Sequence, residues 1–199
     1  MISEDSNDGI CRFEELHHLL FELLMKTDGR TTDMLEALVG EKVKVEVILQ
    51  RQIESADAIG FPGLTGEPYY VRESILISEL SGCVVSHNIV LVCAAHVPRK
   101  MFEALALKQE GIGKTIIAHG LPTSRKLIDY GWREQTAIND LFQQPLELKF
   151  STSVTRVPFK QYAIYFESEP GIYLLEYFNP DIVSLRLGQA PQVDQPDGA

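Results

Sequence analysis

YYVRESILIS (residues 69–78) is built from the tyrosine, valine and isoleucine that suit a pleated, half-buried surface, and it is long enough to cross a sheet. Taken by twos, Tyr69, Val71, Glu73, Ile75 and Ile77 share one face, while Tyr70, Arg72, Ser74, Leu76 and Ser78 share the other. A strand here therefore plants an arginine on one face and a glutamate on the opposite one. GIYLLEYF (171–178) repeats the pattern, with Glu176 interrupting an apolar side made by Ile172, Leu174 and Phe178. The fold reading must supply a sheet, and the functional reading must say what charges do inside it.

Outward from these stretches, the other elements are legible by period. Upstream, Phe13, Leu16, Leu19, Leu20, Leu23 and Leu24 recur at helical spacing, and TDGRTTDMLEALVG breaks that helix at Asp28-Gly29 and starts a shorter one. KVKVEVILQRQ (42–52) alternates as a strand, and IGFPGLTGEP (59–68) is a Gly/Pro loop. Downstream, NIVLVCAAHVP (88–98) reads as a strand ended by Pro98, and PRKMFEALALKQEG as an amphipathic helix with Met101 and Leu105 inward, closed by Gly111. A second helix is predicted within 114–130. PLELKFSTSVTRV, KQYAIYFES and GIYLLEYFNP then read as successive strands, with Glu169-Pro170-Gly171 as a hairpin turn. The fold class is α+β: a single antiparallel sheet with helices gathered on one side. One domain over 13–188 is expected, with residues 1–12 frayed and 189–199 disordered.

The chain has 199 residues, enough for one domain with a real core, and 45% hydrophobic with 23% charged residues is a globular composition. A net charge of −10 argues against a nucleic-acid or anionic-membrane partner, although a pocket can still be locally basic. No apolar run approaches the roughly 20 residues that span a bilayer, and ISEDSNDG after Met1 lacks the features of a signal peptide. Cys11, Cys83 and Cys93 form an odd set without C-x-x-C spacing, so reduced thiols in a cytoplasmic protein are expected. No pattern sets an oligomeric state.

Two apparent motifs fail. GIGKT (111–115) resembles the end of a phosphate-binding loop, but Lys108 stands where the pattern needs its first glycine. His17, His18, His87, His96 and His119 show no ligand spacing, so no metal is expected. The charges in the strands remain. An arginine can face solvent at a sheet edge, and a glutamate can pair with a lysine opposite. If both point instead into one cavity between sheet and helices, Arg72 offers a planar fork matched to a carboxylate. Glu176 among apolar neighbours would have a raised pKa, useful for proton transfer.

The order TDGRTTDMLEAL, VEVILQRQ, YYVRESIL, a strand ending HVP, GIGKTI and finally LLEYF resembles the chorismate pyruvate-lyase (4-hydroxybenzoate synthase) family over about residues 13–180. The resemblance implies an antiparallel sheet of about six strands with helices packed on it, the chorismate lyase-like fold. It implies a lyase that eliminates pyruvate from chorismate to leave 4-hydroxybenzoate, with no metal or organic cofactor. Arg72 matches the arginine that grips the benzoate carboxylate, and Glu176 the glutamate at the other end of the ring; both are the expected catalytic residues. Ile112, Gly113 and Thr31 match further substrate contacts, and Lys160 could replace a missing charge.

Two departures stand out. Ala94 lies where the family commonly has a second arginine, and Lys160-Gln161 where it usually has an arginine pair. They leave two alternatives open: an enzyme of specialised metabolism acting on another small carboxylic acid, or a non-catalytic, effector-sensing domain. Regulators with this fold carry a helix-turn-helix domain ahead of the sheet, and only about forty residues precede Val43 here. In each case the expected partner is a small aromatic or cyclohexadienyl carboxylic acid.

Overall fold

A computed structural model describes residues 4–28, 30–53, 64–107 and 111–188. The elements run α1 (Glu4–Lys26), α2 (Thr31–Val39), β1 (Val43–Ile53), β2 (Tyr69–Ser78), β3 (Val84–Cys93), α3 (Arg99–Ala106) and α4 (Ile112–Ala118). They continue with β4 (Ser124–Glu134), β5 (Arg156–Tyr165), β6 (Pro170–Phe178) and α5 (Ile182–Gly188). The six strands form one sheet in the order β1-β2-β3-β6-β5-β4, and every neighbouring pair is antiparallel. This is the α+β architecture expected from the alternating stretches: one antiparallel sheet of six strands with helices packed on it. No helix among the described residues is long and apolar enough to cross a membrane.

All five described helices cover one face, in two groups. Phe21, Leu24 and Met25 of α1, Leu35 and Val39 of α2, and Ile182 and Val183 of α5 pack on Leu76, Val85 and Phe178. Met101 and Leu105 of α3 and Ile116 of α4 pack on Val90, Val92, Ile164, Ile172 and Leu174. The two patches of sheet lie side by side, and the space between the helix groups is left open over the middle of the sheet.

The opposite face is closed differently. Val71, Ile89, Leu91, Val157, Phe159, Leu175 and Tyr177 lie under Ile138 and Leu141, with Phe142, Leu146, Leu148 and Phe150 packed against them. Residues 138–155 form an irregular strap that is closed on itself by the isolated bridge Asn139–Pro145. The Tyr177 hydroxyl pins it by donating to Asn139 O at 2.6 Å.

Several expectations are corrected here. PLELKFSTSV does not form a strand: its apolar alternation plants Leu146, Leu148 and Phe150 onto the sheet, and alternation reports one-sided burial whether or not a neighbour strand is present. The helix predicted within 114–130 is confined to Ile112–Ala118, and Ser124 onward is the edge strand β4. That strand is largely exposed on both faces, so it lacks the burial pattern that marks β2 and β6. β6 already begins at Pro170, which moves the turn to 166–169. Gly171 lies inside the strand, and glycine suits it because a Cβ there would lie 2.9 Å from the backbone oxygen of His96. The α3 helix ends at Ala106, and most of the run to Gly111 lies outside the described residues. α1 begins at Glu4, ahead of the periodic residues from Phe13, and the tail 189–199 lies outside the described residues.

Candidate functional site

The open space between the helix groups is a cavity of about 370 Å³. Its floor is the sheet and its rim is made by the start of α2, by Gly111–Lys114 at the start of α4, and by Arg125 of β4. The floor follows from the register. Ser74 pairs with Asn88, Asn88 with Glu176, and Glu176 with Lys160, giving one polar row across β2, β3, β6 and β5. The next row holds Arg72, Val90, Leu174 and Tyr162.

Arg72 is 2% exposed and lines the cavity, with Nη1 donating to Leu105 O at 3.5 Å. Its partner in the opening puzzle, Glu73, faces the strap side and accepts from His87 Nε2 at 2.9 Å. Adjacent residues on a strand point to opposite faces, so the two charges that sit side by side in sequence serve separate environments. Burial pulls the Arg72 pKa down from its usual value, and a guanidinium starts so high that it remains a cation.

Glu176 is also buried in the cavity wall. Its Oε2 accepts from Thr31 Oγ1 at 3.3 Å. The same hydroxyl accepts from Lys160 Nζ at 3.1 Å, so Thr31 relays between the two charges. The ammonium also donates to Thr27 O at 3.1 Å and to Leu24 O at 3.4 Å, carbonyls around the C-terminal end of α1. A cation is favoured there because the last carbonyls of a helix have no partner of their own. Burial raises the Glu176 pKa above the usual carboxylate value, against the pull of Lys160, Arg125, Thr31 and Tyr162. Burial likewise lowers that of Lys160, with Glu176 acting against it, and raises that of the Tyr162 hydroxyl well above normal.

Of the residues expected from sequence, Arg72, Glu176, Thr31, Ile112 and Gly113 meet at this cavity. Lys160 does not line it; it stands behind Glu176 as a tie between β5 and α1. Sequence reading missed Ser74, Asn88, Tyr162 and Arg125. Ser74 was within reach, since it alternates with Arg72 on one face of the strand, whereas no reading of 88–98 put Asn88 on that face. Arg125 was hidden by the helix reading of 114–130. Its guanidinium donates to Asp28 O at 3.0 Å and sits 5.7 Å from the Tyr162 ring centre.

No family model matches the chain, and no curated protein matches it. Solved structures do. PhnF from Mycobacterium smegmatis matches at 13% identity and a TM-score of 0.46, over 78% of this chain and 66% of that one. The separate effector domain of PhnF matches at 13% and 0.46, over 77% of this chain and 90% of that one. The C-terminal domain of the histidine utilization repressor from Pseudomonas syringae pv. tomato str. DC3000 matches at 10% and 0.43, over 79% of this chain and all of that one. The chain thus spans just under two thirds of the length of full PhnF. At such identities the likeness is one of fold. The expectation of a lyase is corrected to this extent: the structures named above are PhnF, its effector domain and the C-terminal domain of a repressor, and none of the three is a lyase.

Proposed function

We propose that this chain is a non-catalytic ligand-binding domain that encloses a small organic acid between its sheet and its helices. The observation that carries the reading is the charge of the cavity wall. Arg30, Lys44, Arg72, Lys114 and Arg125 line it, against Asp33 and Glu176 as the carboxylates. This concentration of cations occurs in a chain of net charge −10, so it is local and opposite to the whole. A low-dielectric wall strengthens each such charge towards an anion that enters.

The roles follow from depth. Arg72 lies on the floor, where a bidentate contact to a carboxylate is shielded from water. Arg30, Lys44 and Lys114 are exposed at the rim and act on approach. Ile112, Leu174 and Val90 supply apolar contact for the body of the ligand. Thr31 holds the Glu176 carboxylate, and Lys160 holds Thr31, so this wall is braced before any ligand arrives. A cavity of about 370 Å³ falls within the usual range for small-molecule sites.

The test is binding without turnover. Calorimetry with benzoate and 4-hydroxybenzoate should detect an interaction that weakens as salt rises. Incubation of the purified protein with chorismate should release no pyruvate above the uncatalysed background. Absence of any carboxylate binding at millimolar ligand would refute the reading.

A further inference from the structure

Two side chains on the cavity floor have no role in the arrangement above. Ser74 and Asn88 are cross-strand partners, and Asn88 is also the register partner of Glu176. Both are more than nine-tenths buried, at 5% and 7% exposure, and both line the cavity. Neither side chain makes a hydrogen bond among the described residues, and Asn88 Oδ1 is sealed without a partner. Glu176 and Thr31, by contrast, already satisfy one another.

A buried carboxamide in this state is costly, because its oxygen has left water without gaining a partner. Neighbouring floor positions are filled by Val90 and Leu174, so an apolar residue would suit the sheet itself better. Such a group is expected where a ligand completes its hydrogen bonds. The ends of a carboxamide are close in shape, so a half-turn about χ2 exchanges which of them faces the cavity. With the Ser74 hydroxyl beside it, the pair can both donate and accept. A carboxylate only accepts, and is matched by Arg72; a hydroxyl both donates and accepts, and is matched by Asn88 and Ser74.

We propose that Asn88, supported by Ser74, is the specificity-determining contact of the cavity, reading a hydroxyl group on a small carboxylic acid whose carboxylate lies on Arg72. The proposal rests on the ligand-binding reading above. Hydroxylated acids are accepted because they complete the amide, and the bare acid is rejected because it leaves the amide sealed and unpaired.

The experiment uses two matched pairs of probes, benzoate with 4-hydroxybenzoate and cyclohex-1-ene-1-carboxylate with shikimate, on the wild-type protein, Asn88→Leu and Arg72→Lys. Wild-type protein should bind the hydroxylated member of at least one pair about tenfold or more tighter. In Asn88→Leu that ratio should fall towards one, while binding of the bare acid is kept or improved. The unliganded Asn88→Leu protein should also melt at a higher temperature than wild type, because an unpaired amide has been removed. A hydroxyl preference that survives in Asn88→Leu, a wild-type protein with no hydroxyl preference, or a lower melting temperature of the unliganded variant each overturns the proposal. Carboxylates that bind with Arg72-dependence but without hydroxyl discrimination leave the ligand-binding reading standing and remove only this one. Failure of all four probes to bind overturns both.

Discussion

The two faces of the sheet are made by alternate residues of the same strands, yet they are built to opposite ends. The strap face is sealed: Leu91, Leu175 and Tyr177 are all but inaccessible beneath the segment from Ile138 to Phe150. Its charged residue at the centre of β2, Glu73, is taken up by His87. The helix face is left open between two helix groups, and its central rows carry Arg72, Ser74, Asn88, Glu176 and Lys160. Polar groups in a core cost stability unless they are paired, so packing alone does not account for a face that keeps several of them. The sealed face carries the stability that permits the open one.

The largest expected effect separates the faces by packing. Leu91→Ala on the strap side should destabilise the protein by about 2–5 kcal/mol in denaturant unfolding, because its neighbours are rigid on every side. Leu174→Ala faces the cavity and should fall at or below the lower end of that range, since part of its surface already lacks packed neighbours. Equal costs would break the comparison.

Next comes binding. Arg72→Lys keeps the charge but loses the planar fork, and should weaken benzoate-type acids by about 1–3 kcal/mol by calorimetry, with little change in stability. Glu73→Gln on the other face should leave binding alone.

The faces should also respond to pH with opposite signs. Glu176 has a raised pKa in the fold, so the native state holds its proton longer than the unfolded chain does. Its contribution is therefore fully present below the ordinary value of 4.5 and is lost as pH rises through the folded value. His87 has a lowered pKa in the fold, burial outweighing the hydrogen bond to Glu73. Its contribution is present above 6.5 and is lost as pH falls from there through the folded value. Melting curves across the acid range should show Glu176→Gln losing the first slope and His87→Gln the second. Glu176→Gln should be no less stable than wild type at neutral pH, since Thr31 rather than a cation touches the carboxylate.

The smallest effect is the pin of the strap. Tyr177→Phe removes the bond to Asn139 O and the one accepted from Arg133, and should cost about 1 kcal/mol without changing ligand affinity.

Local pattern carried much of this molecule. Alternation in YYVRESILIS and GIYLLEYF placed β2 and β6, and the period-two rule alone put Arg72 and Glu73 on different faces. Helical spacing placed α3, whose inward Met101 and Leu105 are buried, and the break at Asp28-Gly29 placed α2; α1 was placed by its leucines, although Leu16, Leu19 and Leu23 are exposed and Phe21, Leu24 and Met25 carry its core face. What local pattern could not settle is whatever depends on the neighbour. β4 is an exposed edge whose side chains report no core, while 146–150 alternates like a strand but meets the sheet as a strap. Register between strands distant in sequence decided that Ser74, Asn88, Glu176 and Lys160 form one row, and only the packing of α1 turned Lys160 away from the cavity. A residue's face is set by its own backbone; what it faces is set by a chain segment a hundred residues away, and that is a property of the tertiary structure alone.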